Sequence, residues 1–340
     1  MESIDLLVLR TAHDWLQAGE RVMLATVTRT WGSSPRPVGS MMALRGDGRV
    51  IGSVSGGCIE DDLIHRYTTA YQGSGMPQGL PQLARYGVSA DEAHRFGLPC
   101  GGTLELVLEF TPALASLVQL LALLDAGKLV QRELHLASGQ ATLTATLAPA
   151  PFVFDGSHLR NPLGPGYRLL LIGAGVLAEY LASMALFNGF KVAVCDPRPE
   201  YMGAWNVAGV EKLVAMPDDG VRAFAPDVRS AVIGLSHDPK LDDLALLEAL
   251  HSPAFYIGVI GSRRNSQLRR ERLRVHFGES EATLQRLHGP IGIYIGSKTP
   301  AEIAVSVMAE VLAVKNGVAL PGEVNVSKAK RALEQPQAAS

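Results

Sequence analysis

The sequence predicts an α/β protein in two parts: an N-terminal α+β domain, then a C-terminal domain built on a parallel sheet. Three observations predict it. Residues 168–198, RLLLIGAGVLAEYLASMALFNGFKVAVCDPR, read as strand, glycine turn, helix and strand. Later apolar runs at 231–235, 254–260 and 291–295 each end in small or polar residues and lead into a helical pattern. Before residue 148 the apolar runs pair instead as hairpins about glycine turns.

Residues 3–17 carry a helical pattern with Ile4, Leu7 and Trp15 among its apolar positions. Residues 21–28, RVMLATVT, are apolar and β-branched and read as a strand. WGSSPRPVG at 31–39 is a loop by composition. Runs at 41–44 and 49–54 flank Gly46-Asp47-Gly48, a hairpin turn. Gly56 and Gly57 then deliver the chain into a helix start at Cys58. Glu60, Asp61 and Asp62 follow in the first turn, where acids suit the dipole. A thiol at a helix N-terminus has a lowered pKa and raised reactivity. Pro99-Cys100-Gly101-Gly102 mirrors this pattern ahead of a strand at 103–110. The residues leave two readings open: one site shared by Cys58 and Cys100, or two small buried cysteines beside tight turns. The acids at 60–62 count against a bare phosphate site. A helix at 113–126 ends at Gly127, and runs at 131–136 and 141–147 form a hairpin through Ser138-Gly139. Residues 148–166 hold Pro149, Pro151, Pro162 and Pro165 and read as a linker with a short strand at 152–154. The expected boundaries are 1–147, a linker at 148–166, a second domain at 167–318 and a flexible tail at 319–340.

The second domain opens with a Rossmann-type fingerprint. Gly173 permits the tight turn, Gly175 lets backbone approach a phosphate, and Ala178 lets helix and strand pack closely. The helix N-terminus offers free N–H groups to an anion. Asp196 lies about twenty residues further on, where an acid accepts hydrogen bonds from a ribose diol. Open α/β sheets bind ligands at the carboxyl ends of their strands. Those ends are Gly173, Asp196, Ser236-His237-Asp238, Gly261-Ser262-Arg263-Arg264 and Gly296-Ser297-Lys298. Two arginines at a helix start oppose the dipole, so Arg263 points to a bound anion. Arg269 to Arg274 read as a solvated basic face. His237 fits equally a ligand contact and a loop residue beside a helix cap. Thr299-Pro300-Ala301-Glu302 is a capping box that starts a helix ending near Asn316-Gly317.

The net charge of −2 over 340 residues gives no general attraction to nucleic acid. No signal peptide or membrane span is read, and the expected location is cytoplasmic. Three cysteines without a CxxC pair argue against a disulfide framework and a structural zinc site. No protein metal-ligand set and no catalytic residue is predicted.

WGSSPRPVGS, GSVSGGCIEDDLI, PCGGTLELVLE, the GAG turn with CDPR, SHDPKLDD, YIGVIGSRR and GPIGIYIGSKTPAEIAVSVMAEVL occur in this order. Together they resemble the XdhC/CoxI family, the accessory factors of xanthine dehydrogenase and related molybdenum hydroxylases. The CDPRPEY ending looks most like the branch serving periplasmic aldehyde oxidoreductases. The resemblance implies a chaperone rather than an enzyme. Its cargo would be molybdenum cofactor, as molybdopterin or its cytosine dinucleotide form. It would protect that cargo, assist its sulfuration and insert it into the apo-enzyme. Implied partners are the large subunit of an apo-molybdoenzyme, a cysteine desulfurase, a molybdopterin nucleotidyltransferase and a second copy in a homodimer. Implied cofactor contacts are Gly56, Gly57, Cys58, Cys100, Gly101, Gly102, Gly173, Gly175, Asp196, Arg198, His237, Ser262, Arg263 and Lys298. Helix N-termini and Arg263 would suit phosphates, Asp196 a ribose, and Cys58 or Cys100 the metal side or a persulfide. The chain departs from the family at the glycine turn, where the usual histidine is Val176. Without the resemblance, the residues suggest an NAD(H)-dependent oxidoreductase with His237 or Lys298 as acid/base, or a nucleotide-sensing regulator.

Overall fold

The computed structural model describes residues 4–31, 36–69, 73, 75–87, 103–147, 150–321, 324, 326 and 329. The chain divides after Pro165 into two compact units.

The N-terminal unit begins with helix α1 (Ile4–Gln17) and strands β1 (Val22–Trp31), β2 (Met41–Arg45) and β3 (Val50–Gly52). Helix α2 (Cys58–Tyr67), strands β4 (Gln82–Tyr86) and β5 (Thr103–Phe110) and helix α3 (Leu114–Asp125) follow. The five strands form one antiparallel sheet in the order β3-β2-β1-β5-β4. Side chains alternate across a strand. Met23, Ala25 and Val27 of β1 therefore pack with Ile59 and Leu63 of α2. Val22 and Leu24 pack on the other face with α1 and α3. Burial on both faces explains why β1 reads as a nearly continuous apolar and β-branched run through Thr28.

A second antiparallel sheet joins β6 (Leu129–His135), β7 (Gln140–Thr146), β8 (Val153–Phe154) and β9 (His158–Leu163) in the order β7-β6-β9-β8. This corrects the expected linker. Residues 158–163 pair with residues 130–135 of β6, and Leu159 and Leu163 are buried. Pro162 in β9 sits opposite Gln131. The prolines that suggested a linker are thus accommodated in and beside a strand.

The C-terminal unit is a parallel sheet of β10 (Arg168–Ile172), β11 (Lys191–Cys195), β12 (Val210–Leu213), β13 (Ser230–Gly234), β14 (Tyr256–Val259) and β15 (Leu287–His288). Their spatial order is β12-β11-β10-β13-β14-β15, the doubly wound Rossmann order. Helices α4 (Val176–Phe187) and α10 (Pro300–Lys315) cover one face, packing on Leu169, Leu171, Val192 and Ile233. Between these helices lie α5 (Pro199–Ala204), α6 (Pro217–Phe224), α7 (Pro239–Leu250), α8 (Arg263–Phe277) and α9 (Glu281–Gln285). Residues of α6, α7, α8 and α9 bury Leu170, Ile172, Val232 and Ile257 on the opposite face.

The strand expected at 291–295 is replaced. β15 takes the sheet edge instead, and the later segment bonds to α10. Gly292 N–H donates to Glu310, and the Ser306 hydroxyl donates to the Ile293 carbonyl. The tail is also not wholly loose among its described residues, because Tyr294 N–H donates to the Val324 carbonyl and Ala329 is buried. No described helix is long and apolar enough to cross a membrane.

Candidate functional site

The crossover point of the parallel sheet lies between β10 and β13, where the chain has reversed its direction of winding. Gly173 sits there with φ near +100°, in the left-handed region that favours glycine. A Cβ at this position would lie 2.6 Å from Ser236 Cα. Gly173 thus permits both the turn and the close approach of the β13–α7 loop. Gly175 precedes α4 with nothing within 4 Å of where its Cβ would be, and no side chain caps the helix. Ala178 is fully buried, as close packing of helix on strand requires.

Asp196 departs from the ribose-binding expectation. It is completely buried, and its carboxylate accepts from Ala174 N–H at 2.9 Å and from Arg198 N–H at 3.0 Å. The Arg198 guanidinium closes a fork on it through Nε at 2.9 Å and Nη2 at 2.8 Å. Burial alone would raise this carboxyl. The Arg198 and Ala174 hydrogen bonds outweigh burial, and the net direction is down.

Beside the crossover, the carboxyl ends of β13 and β14 and the first turns of α7 and α8 enclose a cleft of about 140 Å³. His237, Asn265, Arg269 and Arg272 contribute polar groups, and Ile260 and Leu268 contribute apolar ones. His237 is exposed and adopts φ near +61°, an uncommon conformation for a non-glycine residue. Ser262 accepts from Asn265 N–H and so caps α8. Arg263 and Arg264 open that helix, and no acid stands in its first turn. The Ser266 hydroxyl, one turn in, is buried with no hydrogen-bond partner and lies 3.9 Å from where a Gly261 Cβ would be. Lys298 is exposed just ahead of α10, with its backbone N–H held by Glu302.

The basic face expected at 269–274 is largely structural. Arg269 is 4% exposed and donates to Asp243 at 2.7 Å, to Asp242 at 3.3 Å and to the Ile260 carbonyl. Arg272 also pairs with Asp243, and Arg270 donates to the Leu284 and Leu287 carbonyls. Only Arg274 keeps the predicted surface role, paired with Glu271. Sequence reasoning missed this network because Asp242 and Asp243 lie on another helix, and nothing local links them to Arg269.

In the N-terminal unit, Gly56 and Gly57 lead into α2 as expected, but their N–H groups are already engaged. The Glu60 carboxylate accepts from the N–H groups of Val54, Ser55, Gly56 and Gly57 and from the hydroxyls of Ser53 and Ser55. It fills the concavity that an external anion would otherwise use. The sequence pointed to this only through the acids that counted against a phosphate. Cys58 is exposed at the start of α2, which removes the buried reading for that thiol. Cys100, Gly101 and Gly102 lie outside the described residues.

Cys195 is fully buried at the end of β11, and burial pushes its thiol up to about 11. A Cβ on Gly220 of α6 would lie 2.4 Å from its sulfur, so it packs as a small core side chain. Brief iodoacetamide treatment of the folded chain near pH 8 is therefore expected to alkylate Cys58 well before Cys195. Peptide mass mapping checks the order, and equal labelling would contradict the burial of Cys195.

Comparisons with known proteins agree with this architecture. The XdhC and CoxI family matches residues 15–87, and the XdhC Rossmann domain matches 169–311. The molybdenum cofactor insertion chaperone PaoD of Escherichia coli K12 is 28% identical over 308 residues, spanning 91% of this chain and 88% of PaoD. A probable xanthine dehydrogenase subunit of Bacillus subtilis 168 is 26% identical over 332 residues, 90% of this chain and 96% of that protein. The uncharacterized protein YqeB of E. coli K12 is 28% identical over 293 residues, and the match spans only 43% of YqeB. A crystal structure of a xanthine dehydrogenase from Bacillus halodurans is 27% identical with a TM-score of 0.72, covering 93% of this chain and 96% of that one.

Proposed function

This chain belongs to the XdhC and CoxI family, and on that premise we propose that it is a molybdenum cofactor chaperone. It holds the cofactor as cargo, protects it, assists its sulfuration and inserts it into a molybdenum hydroxylase. The observation that carries this reading is the match to PaoD, which runs through both units and most of each chain. Single motifs would not support it, because a Rossmann fold alone does not fix function.

The cargo is an anionic pterin phosphate, or its cytosine dinucleotide, with a soft dithiolene-bound metal. Its chemistry suits the cleft at the ends of β13 and β14. Arg263 and Arg264 stand at a helix start with no first-turn acid, so an anion there would relieve the unfavourable dipole. The apolar walls and the Asn265 amide suit a flat heterocycle with a polar edge. Gly175 leaves room for a second anionic group at α4. Cys58 and Cys100 are the thiols proposed to face the metal side or to carry sulfur from a cysteine desulfurase. The receiving partner is the large subunit of an apo-molybdoenzyme. A molybdopterin nucleotidyltransferase and a second copy of the chain complete the proposed assembly.

The test is native mass spectrometry of the chain purified from a cofactor-producing host, followed by mixing with an apo-molybdenum hydroxylase. A bound pterin that leaves the chain as the hydroxylase gains activity is the expected result. Retention of the pterin by Cys58→Ala and Cys100→Ala alike would remove both thiols from its binding. Absence of any pterin, with NAD(H) bound and hydride transferred instead, would overturn the chaperone reading in favour of an oxidoreductase.

A further inference from the structure

We infer that Arg198 sets the nucleotide specificity of the first half of the Rossmann unit. Its guanidinium occupies the place of a ribose diol on Asp196 and thereby excludes NAD(H) from a fingerprint that otherwise has every part. The inference goes beyond the cargo reading, because it concerns the Asp196 carboxylate and a different ligand, although both readings place an anion at the glycine turn of β10–α4.

The parts are complete up to the acid. Strand, glycine turn, open helix N-terminus and a carboxylate at the end of β11 are all in place. In a dinucleotide site that carboxylate binds the ribose 2′-hydroxyl. A carboxylate has about four lone-pair positions. At Asp196 four donors take them: Ala174 N–H, Arg198 N–H, Arg198 Nε and Arg198 Nη2. A ribose would have to replace the last two. It would exchange two bonds in which both partners carry charge for two in which only the carboxylate does, and so lose the attraction between the guanidinium and the carboxylate. It would also leave the guanidinium without its counter-charge.

The sequence holds the guanidinium in place. Pro197 fixes its own φ and has no N–H. The Arg198 N–H closes a turn on the Asp196 side chain at 3.0 Å, which brings the rest of Arg198 back over the same carboxylate. The Tyr201 ring lies under the guanidinium, 3.8 Å from centroid to Cζ. The guanidinium is therefore held within Asp196-Pro197-Arg198 and the first turn of α5, and Ala174 N–H fills the remaining position on the carboxylate.

Removal of the guanidinium would leave Asp196 with its two backbone donors and open the two positions a diol needs. The experiment is a titration of the full chain with NADH, followed by nicotinamide fluorescence, for wild type, Arg198→Ala and the double variant Arg198→Ala/Asp196→Asn. The expected wild-type result is no saturable binding up to about 1 mM, and at least about ten-fold tighter binding by Arg198→Ala. The double variant is expected to lose the gain, and an NADH analogue with a 2′-deoxy adenosine ribose is expected to show none. Arg198→Gln, which keeps the chain length, serves as the probe if circular dichroism shows Arg198→Ala unfolded. Micromolar NADH binding by wild type would overturn the proposal without any variant. So would a folded Arg198 variant with no gain, or a gain that survives Asp196→Asn. Pterin retention by the wild type is scored alongside and reports on the cargo reading, while the NADH titrations report on Arg198.

Discussion

Arg269→Ala is expected to destabilise the C-terminal unit by about 3–5 kcal/mol, the usual cost of removing one partner from a buried ion pair. Arg269 joins α8 to α7 by fixing Asp243 at 2.7 Å and Asp242 at 3.3 Å. Asp243 would keep Arg272 as a partner. Asp242 would not be so served. It is fully buried, and burial already raises its carboxyl despite the Ser236 hydrogen bonds and Arg269. Most of the cost therefore falls on Asp242. Adding Asp242→Asn to Arg269→Ala should recover part of the loss. Urea unfolding followed by far-ultraviolet circular dichroism measures both. Arg269 also lines the cleft between β13 and β14, so the folded fraction of the variant should retain less pterin. A loss below about 1 kcal/mol would mean that water reaches these carboxylates.

Glu60→Gln is expected to cost about 2–4 kcal/mol at neutral pH, because a charged acceptor for six donors is replaced by a weaker one. Burial opposes the charge on Glu60, but the hydrogen bonds from Ser55 and Ser53 and the loop N–H groups overcome it. The carboxyl is held down at about 2, against an ordinary 4.5. A depressed carboxyl stabilises the fold fully above its unfolded pKa, and that stability is lost as pH falls through the folded value. The contribution, about 3 kcal/mol, should thus be intact at pH 6 and decline from about pH 4.5 toward 2. Glutamine does not titrate. The difference in urea midpoint between wild type and Glu60→Gln should therefore shrink on acidification from pH 5 to pH 3. A constant difference would show that Glu60 is not the group that titrates. Because Glu60 anchors residues 53–57, the variant should also loosen the turn before Cys58 and change its rate of alkylation.

Much of the fold is legible in the sequence because its signals are local. The glycine turn at 173–178, the hairpin at Gly46-Asp47-Gly48 and the capping box from Thr299 to Glu302 each depend on residues within one turn. All three occur where read. The failures are non-local. The 291–295 run is apolar enough for a strand, but the sheet edge is taken by β15, and α10 offers hydrogen bonds to the later segment. The prolines near 162 suggested a linker, yet β6 supplies a pairing partner that proline content cannot reveal.

The sequence by itself determined the opening β10–α4–β11 unit, the Rossmann-type C-terminal domain and the residues at the ends of β10, β11, β13 and β14, since hydrophobic period and turn chemistry are carried by near neighbours. Only the tertiary structure decided which of those residues remain available to a ligand. Asp196 is consumed by Arg198, Glu60 fills its own loop, and Arg269 is buried between two carboxylates. A charged side chain has the same reach in a ligand site and in an internal ion pair. For Arg269 the partner is fixed by packing that brings two distant helices together; for Asp196 and Glu60 it is fixed by the folded geometry of a local turn, which residue types alone do not reveal.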